Sequence, residues 1–86
     1  MKILITGATG LIGSHLVLRL TEENMPVTAL FRNETGKREV LNLFRFYGKE
    51  NLFQQVQWVK GDVEDADDMY ELTEGMHTVF HCAAIV

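Results

Sequence analysis

The chain has 86 residues, enough for one small domain. Hydrophobic residues make up 47% and charged residues 23%, with a formal net charge of −4, so the balance is that of a globular domain without the basic footprint of a non-specific nucleic-acid binder. A single cysteine, Cys82, excludes an internal disulfide, no apolar run approaches the ~20 residues of a membrane helix, and no targeting segment is visible, which predicts a cytoplasmic protein with no membrane or nucleic-acid partner.

Ile3 to Ile5 is a short continuous apolar run, as expected of a central parallel strand covered on both faces. Glycines follow at Gly7, Gly10 and Gly13. From Leu11 to about Thr21 the period becomes helical, with Ile12, Leu16 and Leu20 on one face and Gly13 and Val17 beside them. Asn24 suits a left-handed helix terminator, and Pro26 blocks continuation. Val27 to Phe31 is rich in β-formers and predicts strand two.

Asn33 to Gly36 reads as a loop. Lys37 to Tyr47 reads as a second helix, striped by Val40, Leu43, Phe44 and Tyr47 and closed by Gly48. Glu50 to Gln55 reads as a turn or short helix anchored by Leu52 and Phe53. Val56 to Lys60 predicts strand three. Phe44, Phe46, Tyr47, Phe53 and Trp58 are read as core aromatics. After a loop at 61–64, Asp65 is placed to cap a third helix, with Asp67 and Asp68 in its first turn and Met69 and Leu72 on its apolar face. Gly75 ends it. Thr78 to His81 begins strand four, which is expected to run on through Ala84.

The order βαβαβαβ, with right-handed crossovers, predicts an α/β Rossmann-like doubly wound parallel sheet of order 3-2-1-4. Ligands of such sheets bind outside the carboxyl ends of the strands, at the switch point between strands one and four. The glycine turn lies there. Gly7 permits the tight turn, Gly10 lets backbone approach a pyrophosphate, and Gly13 lets the helix pack close. The free N–H groups of the helix end can then donate to phosphate.

The spacing Thr6-Gly7-x-x-Gly10-x-x-Gly13 resembles the extended short-chain dehydrogenases/reductases, the NAD(P)-dependent epimerase/dehydratase family. Three later segments resemble the same family in the same order: Ala-Leu-Phe-Arg at 29–32, Gly61-Asp62-Val63, and Thr78-Val-Phe-His-Cys-Ala-Ala84. The resemblance implies a pyrophosphate loop of Gly7, Gly10, Leu11, Ile12 and Gly13, with Thr9 counted among them. It implies that Asp62 bonds the adenine amino group with Val63 beside the ring. Ala83 and Ala84 match positions where small side chains let backbone run close to ribose and nicotinamide. Asn24 stands where many members have glycine.

Strand two ends in Arg32 rather than in an acid that would bond a ribose 2′-hydroxyl. Lys37 and Arg38 follow, so NADP is expected over NAD. Asp62 also has ordinary readings, as a solvated loop acid or as a cap of the following turn. His81 is read as structural. His81 and Cys82 make no zinc site without further ligands. His15 is read as surface or cofactor-adjacent, and the seven acids from Asp62 to Glu74 as a solvated face.

The family's chemistry needs a tyrosine with a lysine four residues on. Here Tyr47 is followed by Asn51 at that position and Tyr70 by Glu74. The chain therefore reads as the N-terminal part of an NAD(P)-binding domain, cut after its fourth strand, with catalytic and substrate-binding parts absent. Non-catalytic dinucleotide binding, or inactivity alone, are the competing readings. An uncovered fourth strand carrying Val79, Phe80 and Ile85 predicts self-association of the 86 residues.

Overall fold

A computed structural model describes residues 2–82. It contains β1 (Ile3–Thr6), α1 (Leu11–Glu22), β2 (Val27–Phe31), α2 (Glu34–Phe46), α3 (Glu50–Phe53), β3 (Gln57–Lys60), α4 (Ala66–Thr73) and β4 (Thr78–His81). The four strands form one parallel sheet in the order β3-β2-β1-β4. Every residue of β1 and β2 is buried, which is why Ile3 to Ile5 reads as a continuous apolar run and β2 carries a single polar residue, Thr28, rather than alternating. Among the described residues, no helix is long and apolar enough to cross a membrane.

One face of the sheet presents Ile3, Ile5, Val27 and Ala29 to Val17 and Leu18 of α1 and to Val40 and Phe44 of α2. Leu52 and Phe53 of α3 and Trp58 of β3 pack at the margin of this core. The rings of Phe44 and Phe53 meet edge-on, 5.6 Å between centroids. Successive strand residues point to opposite faces, so Leu30 lies on the other side. There its Cδ1 approaches Gly61 alongside Leu72 of α4.

Several elements differ from the sequence expectation. The segment 33–36 is not a loop: α2 starts at Glu34, capped by Asn33, whose Oδ1 accepts the Gly36 N–H at 2.8 Å. β3 starts at Gln57, and Val56 is buried just before it. In α1 the buried stripe is Gly13, Ser14, Val17, Leu18 and Thr21, while Ile12 is exposed and Leu16 and Leu20 lie at the margin. The stripe includes two hydroxyls because each satisfies itself within the helix. Ser14 Oγ donates to Leu11 O at 3.1 Å, and Thr21 Oγ1 donates to Val17 O at 2.7 Å. Phe46 and Tyr47 are exposed rather than core, their rings stacked edge-to-face on one another at 5.1 Å.

α1 ends as expected, with Asn24 in the left-handed region at φ 61°. Asp65 caps α4, its side chain accepting the Asp67 and Asp68 N–H groups. α3 is the short helix that Leu52 and Phe53 anchor. The extension of β4 through Ala84 falls outside the described residues.

Candidate functional site

The turn between β1 and α1 is built by close backbone approach. Gly7 sits at φ 68°, and a Cβ there would overlap the Cys82 carbonyl at the end of β4. Gly10 N–H donates to Gly7 O at 3.1 Å. A Cβ on Gly13 would overlap Gly7 O and stand 2.8 Å from Gly7 C. Glycine at 7 and 13 thus lets turn, helix and neighbouring strand occupy one small volume.

Gly10 is the N-cap of α1 and supplies no side-chain cap, and the first turn carries no acid. The leading N–H groups of a helix have no intrahelical partner, and the helix dipole places partial positive charge there. Leu11 and Ile12 in that turn are 79% and 59% exposed. An uncapped helix end flanked by exposed apolar side chains is suited to an anionic ligand with an apolar body.

Beside this turn is a cavity of about 210 Å³, lined by Gly7, Thr9, Gly10, Leu30, Arg32 and Val63. Three chain segments meet in it through parallel pairing. Phe31 pairs with Lys60, and Gly61 N–H donates to Phe31 O at 3.0 Å. That register sets Arg32, just beyond β2, beside Asp62, just beyond β3. Arg32 Nη2 lies 3.9 Å from Asp62 Oδ2, with the two side chains 71% and 43% exposed. Asp62 Oδ1 accepts the Glu64 N–H at 2.9 Å. The turn-capping reading of Asp62 therefore holds alongside its position at the site.

The structure brings together Gly7, Thr9, Gly10, Arg32 and Val63 around the cavity, with Asp62 paired to Arg32 and Leu11, Ile12 and Gly13 in the adjoining helical turn. Ala83 and Ala84 lie outside the described residues. Thr9 has an additional part: a Cβ on Gly36 would stand 3.0 to 3.2 Å from its side-chain atoms, so Thr9 is the contact between the turn and the start of α2. His81 Nδ1 shares a 2.8 Å hydrogen bond with Thr6 Oγ1, the structural position expected of it. His15 Nδ1 bonds the Leu11 carbonyl at 2.8 Å, and its ring meets Tyr47 edge-on at 6.2 Å.

Leu30 and Gly36 were not anticipated at the site. The signal for Leu30 was its position near the carboxyl end of β2, two residues before Arg32. A larger cavity of about 310 Å³ opens at the opposite end of the strands, among Lys2, Pro26, Gln57, Glu71 and Glu74. It has no helix N-terminus or glycine turn, and it lies away from the carboxyl ends where parallel α/β sheets bind ligands.

Residues 3–86 match the profile of the NAD dependent epimerase/dehydratase family. The chain belongs to that family. Among curated relatives, UDP-glucose 4-epimerase 3 of Oryza sativa subsp. japonica is 34% identical over 68 residues, covering 79% of this chain and 18% of the relative. Dihydroflavonol 4-reductase of Callistephus chinensis is 38% identical over 79 residues, covering 92% of this chain and 21% of the relative. Among solved structures, UDP-glucose 4-epimerase of Thermotoga maritima with UDP-glucose aligns at TM-score 0.71 and 31% identity, covering 98% of this chain and 24% of that one. UDP-glucuronic acid 4-epimerase of Bacillus cereus in complex with NAD aligns at TM-score 0.66 and 28% identity, covering 100% and 28%. The chain thus spans about a fifth of the length of the curated relatives it matches.

Proposed function

We propose that this chain is the dinucleotide-binding portion of an NAD(P)-dependent epimerase, dehydratase or reductase, acting on a nucleotide sugar or a related carbonyl or alcohol substrate. The observation that carries the reading is the uncapped N-terminus of α1, held over a turn in which a Cβ at Gly7 or Gly13 would overlap backbone. Such a cradle fits a pyrophosphate, because phosphate oxygens can accept the unpaired N–H groups and no side chain stands in the way. The substrate class follows the names of the relatives, which include both sugar-nucleotide epimerases and dihydroflavonol reductases.

In this reading the residues divide the ligand among them. The backbone of Gly7, Gly10 and the first turn of α1 binds the pyrophosphate. Leu11 and Ile12 shield it from water. Arg32 receives an adenosine 2′-phosphate, so NADP is preferred to NAD. Asp62 faces the adenine amino group and Val63 the ring, while Ala83 and Ala84 leave room for ribose and nicotinamide. The bound nicotinamide supplies hydride transfer. None of the 86 residues supplies the tyrosine–lysine pair that would move the proton.

Calorimetric titration of the chain with NADP and with NAD tests the reading. The expected result is binding of both, tighter for NADP. Failure of both dinucleotides to bind at millimolar concentration overturns the function. Equal affinity, or preference for NAD, overturns the assignment of Arg32 alone.

A further inference from the structure

We infer that Asp62 is a specificity-determining residue that opposes the 2′-phosphate preference set by Arg32, so that the site is tuned towards using both dinucleotides. The inference rests on the proposed dinucleotide function. It follows from how the Asp62 carboxylate is held. One oxygen, Oδ1, is fixed by the Glu64 N–H at 2.9 Å. The other, Oδ2, is therefore directed at Arg32 Nη2, 3.9 Å away. Gly61, immediately before, is anchored by its N–H to Phe31 O at 3.0 Å, so the acid is tied to the end of β2.

Arg32 thus already has an anionic neighbour before any ligand arrives. A 2′-phosphate gains the guanidinium only in competition with the Asp62 carboxylate already beside it. A ribose 2′-hydroxyl carries no charge and loses nothing by that competition. The pair is solvent-exposed, at 71% and 43%, so the interaction is screened and modest. On the scale of exposed charge pairs it corresponds to about a two- to fivefold change in relative affinity. Lys37 does not take over the role of Arg32. Its Nζ lies over the Phe31 ring, 5.0 Å from the centroid.

The readout is the ratio of NADP to NAD affinity, measured by calorimetry on the full 86-residue chain. Using the ratio cancels any contact that Asp62 makes to adenine, which both ligands share. Asp62→Asn keeps an oxygen for the Glu64 N–H and removes the charge. It is expected to raise the ratio about two- to fivefold at low salt, and the gain is expected to shrink at high salt. Arg32→Gln is expected to lower the ratio, and adding Asp62→Asn to it is expected to change the ratio little further. An unchanged or lowered ratio in Asp62→Asn overturns the opposition by Asp62, while a ratio that still falls in Arg32→Gln leaves the proposed cofactor reading standing. A ratio that rises equally in both backgrounds overturns the coupling to Arg32. Absence of binding by the unaltered chain overturns the function and this inference together.

Discussion

Gly13→Ala is the substitution that most directly separates a built cradle from an incidental turn. Within a helix, alanine is favoured over glycine by about 1 kcal/mol, so at an open helical position the change stabilises. At Gly13 the added methyl would overlap Gly7 O, 2.8 Å from Gly7 C and 3.0 Å from Ala8 Cα. Carbon atoms rest at about 3.5 Å or more and the overlap with Gly7 O is tighter still, so the first turn of α1 must retreat by more than about 1 Å. Both sides of the contact are backbone, with no rotamer to yield. Overpacking costs about 1–3 kcal/mol, and with backbone on both sides the upper end applies, which outweighs the helical gain and leaves a net loss of about 2 kcal/mol. The retreat also displaces the N–H groups offered to phosphate, and at least a tenfold loss of dinucleotide affinity is expected. Urea unfolding with unchanged m-value measures the first effect and calorimetry the second. Gly36→Ala is the control, since only the Thr9 side chain lies within 3.0 to 3.2 Å of that methyl, and stability should stay within about 1 kcal/mol of the unaltered chain. A Gly13→Ala protein stabilised by about 1 kcal/mol with binding intact would refute the reasoning.

Three further outcomes follow from contacts already described. Asn33→Ala removes the cap on Gly36 N–H and should cost about 0.5–2 kcal/mol in urea unfolding, with loss of helical ellipticity from the start of α2; no change would mean that water replaces the cap fully. Thr6→Val severs the 2.8 Å bond to His81 Nδ1 and should lower stability by about 0.5–1.5 kcal/mol, with a shifted His81 ring resonance as its NMR signature. Among the described residues β4 pairs only with β1, so the 86-residue chain is expected to self-associate through the other edge of β4. Val79→Lys should weaken that association in sedimentation velocity, and a strictly monomeric unaltered chain at high concentration would contradict it.

The sheet was legible in the sequence because β1 and β2 are buried on both faces, which shows as continuous apolarity at Ile3 to Ile5 and as a run of β-formers at Val27 to Phe31. The glycine turn was legible because close approach leaves few other residue choices. The start of α2 was not. Asn33, Glu34, Thr35 and Gly36 have the composition of a turn, yet Asn33 is a cap and Gly36 is kept small by Thr9, a contact from 27 positions earlier. The buried face of α1 was misjudged at Ile12, since apolarity there is surface around an uncapped helix end. Phe46 and Tyr47 were placed inside because aromatic rings favour burial, but at the end of α2 both are exposed and touch each other edge-on. The Arg32–Asp62 pair needed the register Phe31↔Lys60, which no local pattern encodes.

The carbonyl that closes the turn against Gly7 belongs to Cys82, and the Cys82 N–H donates to Thr6 O at 3.0 Å. The turn after β1 is therefore completed by the last segment described, across the 75 positions that separate Thr6 from His81. Site and edge strand share one equilibrium. Whatever unzips β4 also loosens the turn at Gly7, and a ligand that binds this turn would hold β4 in place by the same free energy. Amide exchange along Val79 to Cys82 is thereby an optical-label-free gauge of occupancy at a turn in which none of those residues takes part by sequence.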